Sequence, residues 1–159
     1  MKRHFAITTF LFFVLVNFGY SQSKTSIELK DNWYYLNGEK FFIKAIGYEI
    51  GARPGQHPYE DAPKDNLELM KFDIKKIKEG GYNTIRTWSQ YSEAQLKLVQ
   101  KSGLKLIMGL NIRPEEDYGD PQFIKESETE IKRVMQYAKK YDCIIRYLVI
   151  NEPQTDHIH

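Results

Sequence analysis

Glu152 follows the run Tyr147-Leu148-Val149-Ile150-Asn151 and is itself followed by Pro153. The apolar run reads as a buried strand. A proline directly after the glutamate cannot continue a ladder, so the strand stops and leaves a carboxylate at its rim. A carboxyl group above an apolar sheet, short of water, has a raised pKa and can act as a general acid near neutral pH. In a solvated loop the same residue has no such role. Arg86, inside Asn83-Thr84-Ile85-Arg86-Thr87-Trp88, is the second candidate. On a strand buried on both faces its guanidinium needs a carboxylate or another strong acceptor, because an unpaired buried charge is too costly. It either serves a ligand site or locks the interior as an ion pair. Trp88 ends the same strand and forms either a stacking face for a sugar or a lid over the core.

The elements that must position these residues alternate between strand and helix patterns. Ser26 to Glu49 contains a short strand, an Asn37-Gly38 turn and a second strand, which is a hairpin signal. Phe41 to Gly47 reads as a buried strand. The next segment places Leu67, Met70, Ile74 and Ile77 on one helical face and closes at Gly80-Gly81, residues suited to a left-handed cap. Tyr82 to Trp88 is the second strand of the series. Ser92 and Gln95 then stand at capping-box spacing ahead of a helix that ends on Gly103. Leu104 to Ile112 is the third strand. Asp120 and Pro121 open a helix with Ile124, Ile131, Val134, Ala138 and Tyr141 at helical spacing, and Ile144 to Asn151 is the fourth strand. This β-α-β-α-β-α-β order calls for parallel strands with crossover helices. Two α/β architectures fit: an open doubly wound sheet and a closed barrel of eight βα units. The segment from Phe41 to His159 is about half of what a barrel of about 250 residues needs. Gly47, Gly51 and Gly55 lack the spacing of a dinucleotide or phosphate loop, which weakens the nucleotide-binding form of the open sheet.

Composition narrows the classes of function. The chain has 159 residues, 42% of them hydrophobic and 28% charged, as expected of a globular domain rather than a disordered one. Its net charge of +2 is accounted for by Lys2 and Arg3, so no nucleic-acid partner is indicated. Lys2, Arg3 and His4 precede an apolar stretch, Phe5 to Phe18, and the small residues around Gly19 and Ser21. This is the pattern of a signal peptide, with cleavage expected after Ser21 and no membrane span remaining afterwards. An uncleaved anchor is the alternative, although the stretch is shorter than the roughly 20 residues a span requires. Periplasmic, cell-surface and extracellular locations all fit. Cys143 is the sole cysteine, which rules out an intrachain disulfide and reads as a small buried apolar residue. Asp156, His157 and His159 contain metal-binding residue types but have no surrounding shell to orient them, so neither a metal nor any other cofactor is expected.

Four stretches, FFIKAIGYE, GGYNTIRTW, GLKLIMGLNI and YLVINEP, together resemble clan A, the superfamily of retaining glycoside hydrolases with a (β/α)8 barrel. The resemblance runs from about Asn32 to Pro153, and Asn-x-Ile-Arg and Asn-Glu are its most specific parts. It implies that Glu152 is the acid/base and that Asn151 binds the sugar hydroxyl next to the anomeric carbon. It implies that Arg86 positions the carboxylate of the nucleophile. Trp88 resembles the tryptophan of members that act on β-linked glucose or mannose polymers, and Tyr48 joins it on the sugar-facing rim.

The resemblance is incomplete. Retaining enzymes use two carboxylates roughly 5–5.5 Å apart. The family's nucleophile lies on strand seven, whereas four strands of the series are found here. Glu49 is the only other carboxylate that can be placed on the rim, and it does not match the nucleophile position. The expected organisation is a signal peptide (1–21), an N-terminal hairpin (22–40) and the N-terminal half of a glycosidase barrel (41–159). The expected protein is a fragment of an exported enzyme acting on oligo- or polysaccharide, inactive alone, with the missing half-barrel or a second copy as its partner. The alternatives are a non-catalytic carbohydrate-binding or interaction half-barrel and an unrelated open-sheet protein.

Overall fold

The structure is a computed structural model and describes residues 25–51 and 66–153. The expected signal peptide and the Asp156, His157, His159 cluster lie outside the described residues.

Two turns with left-handed backbone shape the N-terminal segment. Asp31-Asn32 has φ values of 49° and 62°, and Asn37-Gly38 has 52° and 82°. A two-residue turn of this hand matches the twist of an antiparallel pair, and Asn, Asp and Gly tolerate it at least cost. The turns join β1 (Ile27–Lys30), β2 (Trp33–Leu36) and β3 (Glu39–Phe41) into an antiparallel sheet. Sequence pattern marks only the second turn, and the single hairpin expected from it is in fact a three-stranded meander. The expected single buried strand from Phe41 to Gly47 is also divided. Strand β3 ends at Phe41 and β4 (Ala45–Gly47) begins a different sheet, with Phe42 62% exposed. The Asn83 side chain causes the break. Its Oδ1 accepts from Lys44 N at 2.8 Å and its Nδ2 donates to Phe42 O at 2.8 Å, taking the backbone groups that a continuous strand would pair with a neighbour.

The second sheet has the order β4-β5-β6-β7, all parallel, with β5 at Thr84–Arg86, β6 at Lys105–Gly109 and β7 at Ile144–Leu148. Strands adjacent in sequence are adjacent in space, with no reversal of order where a doubly wound sheet would have its switch point. The connections carry α1 (Leu67–Glu79), α2 (Glu93–Ser102) and α3 (Pro121–Ala138). Each helix start obeys local capping chemistry. Ser92 and Gln95 form the expected capping box, Asp120 accepts from Gln122 N ahead of Pro121, and Asn66 caps α1. Gly103 closes α2 at φ 81°; at the end of α1 the left-handed residue is Gly81, while Gly80 remains helical.

The core lies between this sheet and its helices. Met70, Leu96, Val99 and Val134 close over Ile85, Leu106 and Met108, all essentially inaccessible. The opposite face is more open: Arg86 and Ile107, which are register partners, are half-buried, and Arg146 opposite Ile107 is exposed. The expectation that the second strand is buried on both faces therefore holds at Thr84 and fails at Arg86, the end of β5 on the open face. On α3, Phe123 takes the buried position and Ile124 is 44% exposed, one residue out of the expected phase. Cys143 is buried, as expected, and burial pushes its thiol up to about 11.

Candidate active site

The C-terminal ends of β4, β5 and β7 gather Tyr48, Glu49, Arg86, Trp88, Asn151 and Glu152 along one edge of the sheet. The connection after β5 is held from both flanks. Thr87 N donates to Ile107 O at 3.0 Å, continuing the ladder to β6 past the end of β5. The fully buried Thr87 hydroxyl then accepts from Gly109 N at 3.0 Å and donates to Ser89 O at 2.8 Å. On the other flank, Glu49 Oε1 accepts from Trp88 N at 2.8 Å and Ser89 N at 3.2 Å. Residues 87–89 are thereby pinned between β4 and β6.

Arg86 points along the open face. Its Nη2 donates to Asn151 Oδ1 at 2.5 Å, linking the second and fourth strands of the sheet, and its guanidinium carbon lies 4.9 Å from the centre of the Trp88 ring. The acceptor is thus a side-chain amide, and an aromatic face provides a second favourable contact. Half-burial explains why an amide suffices: the guanidinium keeps part of its hydration and does not require a carboxylate.

Trp88 is half-buried and tightly seated. A Cβ added at Gly47 would stand 2.6 Å from Trp88 Cη2, and one at Gly109 would stand 2.3 Å from the Trp88 carbonyl carbon and oxygen. Both glycines are therefore sites of close approach. The Tyr48 hydroxyl donates to Asp73 Oδ2 at 3.0 Å, tying the rim to α1. Tyr91, almost wholly buried, donates to Tyr48 O at 3.3 Å; burial first, then the nearby Glu49 charge, holds its phenol well above the usual range and so neutral.

Glu152 departs from expectation in two respects. Strand β7 ends at Leu148, so Glu152 stands beyond the ladder on a short extension, and its side chain is exposed rather than short of water. Its backbone has φ 51°. Among the described residues it is the only non-glycine in the left-handed region outside the hairpin turns, a conformation that costs an L-residue about 1–3 kcal/mol. The structure thus brings Arg86 into contact with both Trp88 and Asn151, and places Glu152 next to Asn151, at the margin of that cluster. Sequence reasoning misses the anchoring by Thr87, Ser89 and Glu49, and sees in Glu49 only a rim carboxylate. The one available signal is Thr87 itself, a polar residue in a strand otherwise destined for the core.

Comparison with known proteins decides the family. The family profile of glucanosyltransferases, glycoside hydrolase family 72, matches residues 17–158. The chain belongs to this family. A 1,3-beta-glucanosyltransferase gel1 of Aspergillus fumigatus is 29% identical over 108 residues, which are 60% of this chain and 23% of the relative. The chain therefore spans well under half the length of the curated relatives it matches. Among solved structures, a beta-glucuronidase of an uncultured Clostridium sp. superposes with a TM-score of 0.66 at 20% identity, covering 82% of this chain and 23% of the other. A b-glucuronidase from Ruminococcus gnavus, solved in complex with D-glucaro-d-lactam, gives 0.70 at 17% identity, covering 82% and 22%. At such identities the likeness is one of fold, and the fold is part of a TIM barrel. The choice between open sheet and barrel, open on sequence periodicity alone, falls to the barrel.

Proposed function

We propose that this family 72 chain carries the acid/base half of an exported retaining enzyme that cleaves or transfers β-linked glucan, with 1,3-β-glucan as the substrate. Membership of the glucanosyltransferase family supports the reaction class, and the name of the Aspergillus relative supports the linkage. The observation that carries the reading is the junction of Arg86 with Asn151, directly before Glu152, at the C-terminal edge of parallel strands where barrels place their chemistry. The left-handed backbone at Glu152 supports it further, since strain of this kind collects at functional positions.

In this reading a carboxylate from a later strand attacks the anomeric carbon while Glu152 donates its proton to the departing glycosidic oxygen. Glu152, now ionised, then takes the proton of the incoming acceptor. A glucan hydroxyl as acceptor gives transfer and water gives hydrolysis. Asn151 holds the sugar hydroxyl beside the reacting carbon, Arg86 orients the attacking carboxylate, and Trp88 lines the sugar-facing rim. Tyr48, expected beside it, instead packs toward the core with its hydroxyl on Asp73 of α1. Glu152 is exposed in this chain; in this reading the remainder of the barrel and the bound glucan enclose it. Export by cleavage after Ser21 completes the proposal, and no helix among the described residues is long and apolar enough to cross a membrane.

The test is product analysis of the full-length protein with reduced 1,3-β-gluco-oligosaccharides. Products longer than the donor are expected, and Glu152→Gln should slow their formation by about a hundredfold to ten-thousandfold. Binding heat without any product, in the wild type, would replace the enzyme with the carbohydrate-binding alternative. Neither heat nor product would sink both.

A further inference from the structure

We propose that Glu49 is a positioning residue that sets the seat of Trp88, so that the second carboxylate of this rim acts on backbone rather than on substrate. The proposal rests on the reading of the rim as a glucan site. It begins with the way the β4–β5 ladder ends. Tyr48 N donates to Arg86 O at 3.0 Å; one residue later the main chain of β4 has diverged and the Glu49 side chain takes over. Its Oε1 receives Trp88 N and Ser89 N, and Ser89 Oγ lies 3.4 Å from each carboxylate oxygen. Hydrogen bonds of backbone N–H groups to an ionised acceptor are shorter and stronger than neutral ones. A carboxylate engaged in this way is not aimed at an anomeric carbon, which gives a physical reason for Glu49 not being the missing nucleophile.

Trp88 then has little freedom. The backbone on its β6 side is fixed by the Thr87 hydroxyl, which binds Gly109 N and Ser89 O. Gly109 leaves no space for a side chain against the Trp88 carbonyl, and Gly47 leaves none against the far edge of the indole. The Arg86 guanidinium lies against the ring. Glu49 is the charged anchor of the Trp88 backbone, and its loss lets residues 88 and 89 move together with the indole. The expected consequence is a misplaced sugar platform, hence weaker binding with the chemistry of Glu152 left intact.

Glu49→Ala, Glu49→Asp and Glu49→Gln in the full-length protein separate the possibilities. Without any sugar, hydrogen exchange at the Trp88 and Ser89 amides should quicken about tenfold to a hundredfold in Glu49→Ala, the scale of a lost charged hydrogen bond. Glu49→Asp keeps the charge but falls one methylene short, and should show the same change even if Glu49→Ala fails to fold. Glu49→Gln retains an acceptor oxygen without the charge and should fall in between, about threefold to tenfold faster than wild type. With 1,3-β-gluco-oligosaccharides, KM should rise about tenfold in Glu49→Asp while kcat changes by less than about threefold. Unchanged amide exchange in Glu49→Asp would overturn the proposal. So would a loss of kcat of about a hundredfold or more in Glu49→Gln, the mark of a carboxylate that touches reacting atoms. If the wild type turns over no glucan but the exchange pattern appears as described, the glucan reading fails and the anchoring role of Glu49 stands.

Discussion

Gly109 and Cys143 show how strongly single residues depend on their surroundings. Gly109 has no side chain because the Trp88 carbonyl occupies that space; a Cβ would stand 2.3 Å from backbone atoms held between the anchors of residues 87–89. Gly109→Ala should therefore destabilise by about 1–3 kcal/mol, as overpacking does, measurable by denaturant unfolding. Cys143 presents the opposite case, a reactive group silenced by packing. Its thiol is raised by burial from 9.0 to about 11. The folded thiol thus stays protonated while the unfolded one ionises, so its stabilising contribution is complete below pH 9.0 and lost as pH climbs to about 11. Tyr91, Tyr137 and Tyr147, all raised by burial, push the same way. The difference between wild type and Cys143→Ala isolates the cysteine: the loss of stability between pH 9.0 and about 11 should be smaller in the variant. Thiol-reactive probes should label Cys143 slowly at neutral pH and fully in denaturant.

At the scale of elements, α2 is the best specified by its own sequence. Ser92 and Gln95 satisfy each other's backbone donors reciprocally, and Gly103 adopts the left-handed conformation that ends the helix. Ser92→Ala should cost about 0.5–2 kcal/mol and Gly103→Ala about 1–2 kcal/mol, both read from thermal unfolding. These features are local and legible in the residues themselves. The phase of α3 is not. Phe123 and Ile124 are adjacent apolar residues, and helical spacing alone does not choose between them. Phe123 is the one that joins the core, where its ring also meets Tyr118 of the preceding loop at a centroid distance of 5.9 Å, a contact invisible to periodicity.

At the scale of the whole molecule, the four-stranded sheet has a covered face and an open one. Strands β4 and β7 each have one neighbour among the described strands, and Ile107, Leu148 and Val149 remain partly or largely accessible. Unpaired edges beside accessible apolar side chains favour association. The 159-residue chain produced by itself should accordingly be poorly soluble, molten or dimeric, as read by light scattering and by the breadth of its melting transition. A monomer with a sharp cooperative melt would show the open face to be stable in water.

Whatever depends on neighbours along the chain is set by local chemistry. The caps at Ser92 and Asp120, the Asn37-Gly38 turn and the βα alternation all follow from local chemistry and from periodicities of two and 3.6 residues. The motifs around Arg86 and Asn151-Glu152 are legible as well, because strand ends deliver their side chains to one edge. Which of those side chains meet depends on how the strands are assembled. Arg86 pairs with the Asn151 amide rather than a carboxylate, Glu49 turns onto the Trp88 backbone, and Asn83 splits one apparent strand into two. Each of these contacts spans some 39 to 65 residues of chain. No local propensity encodes such a contact: it is selected by geometry once the strands are side by side, where every buried donor and acceptor must find whichever partner lies within reach.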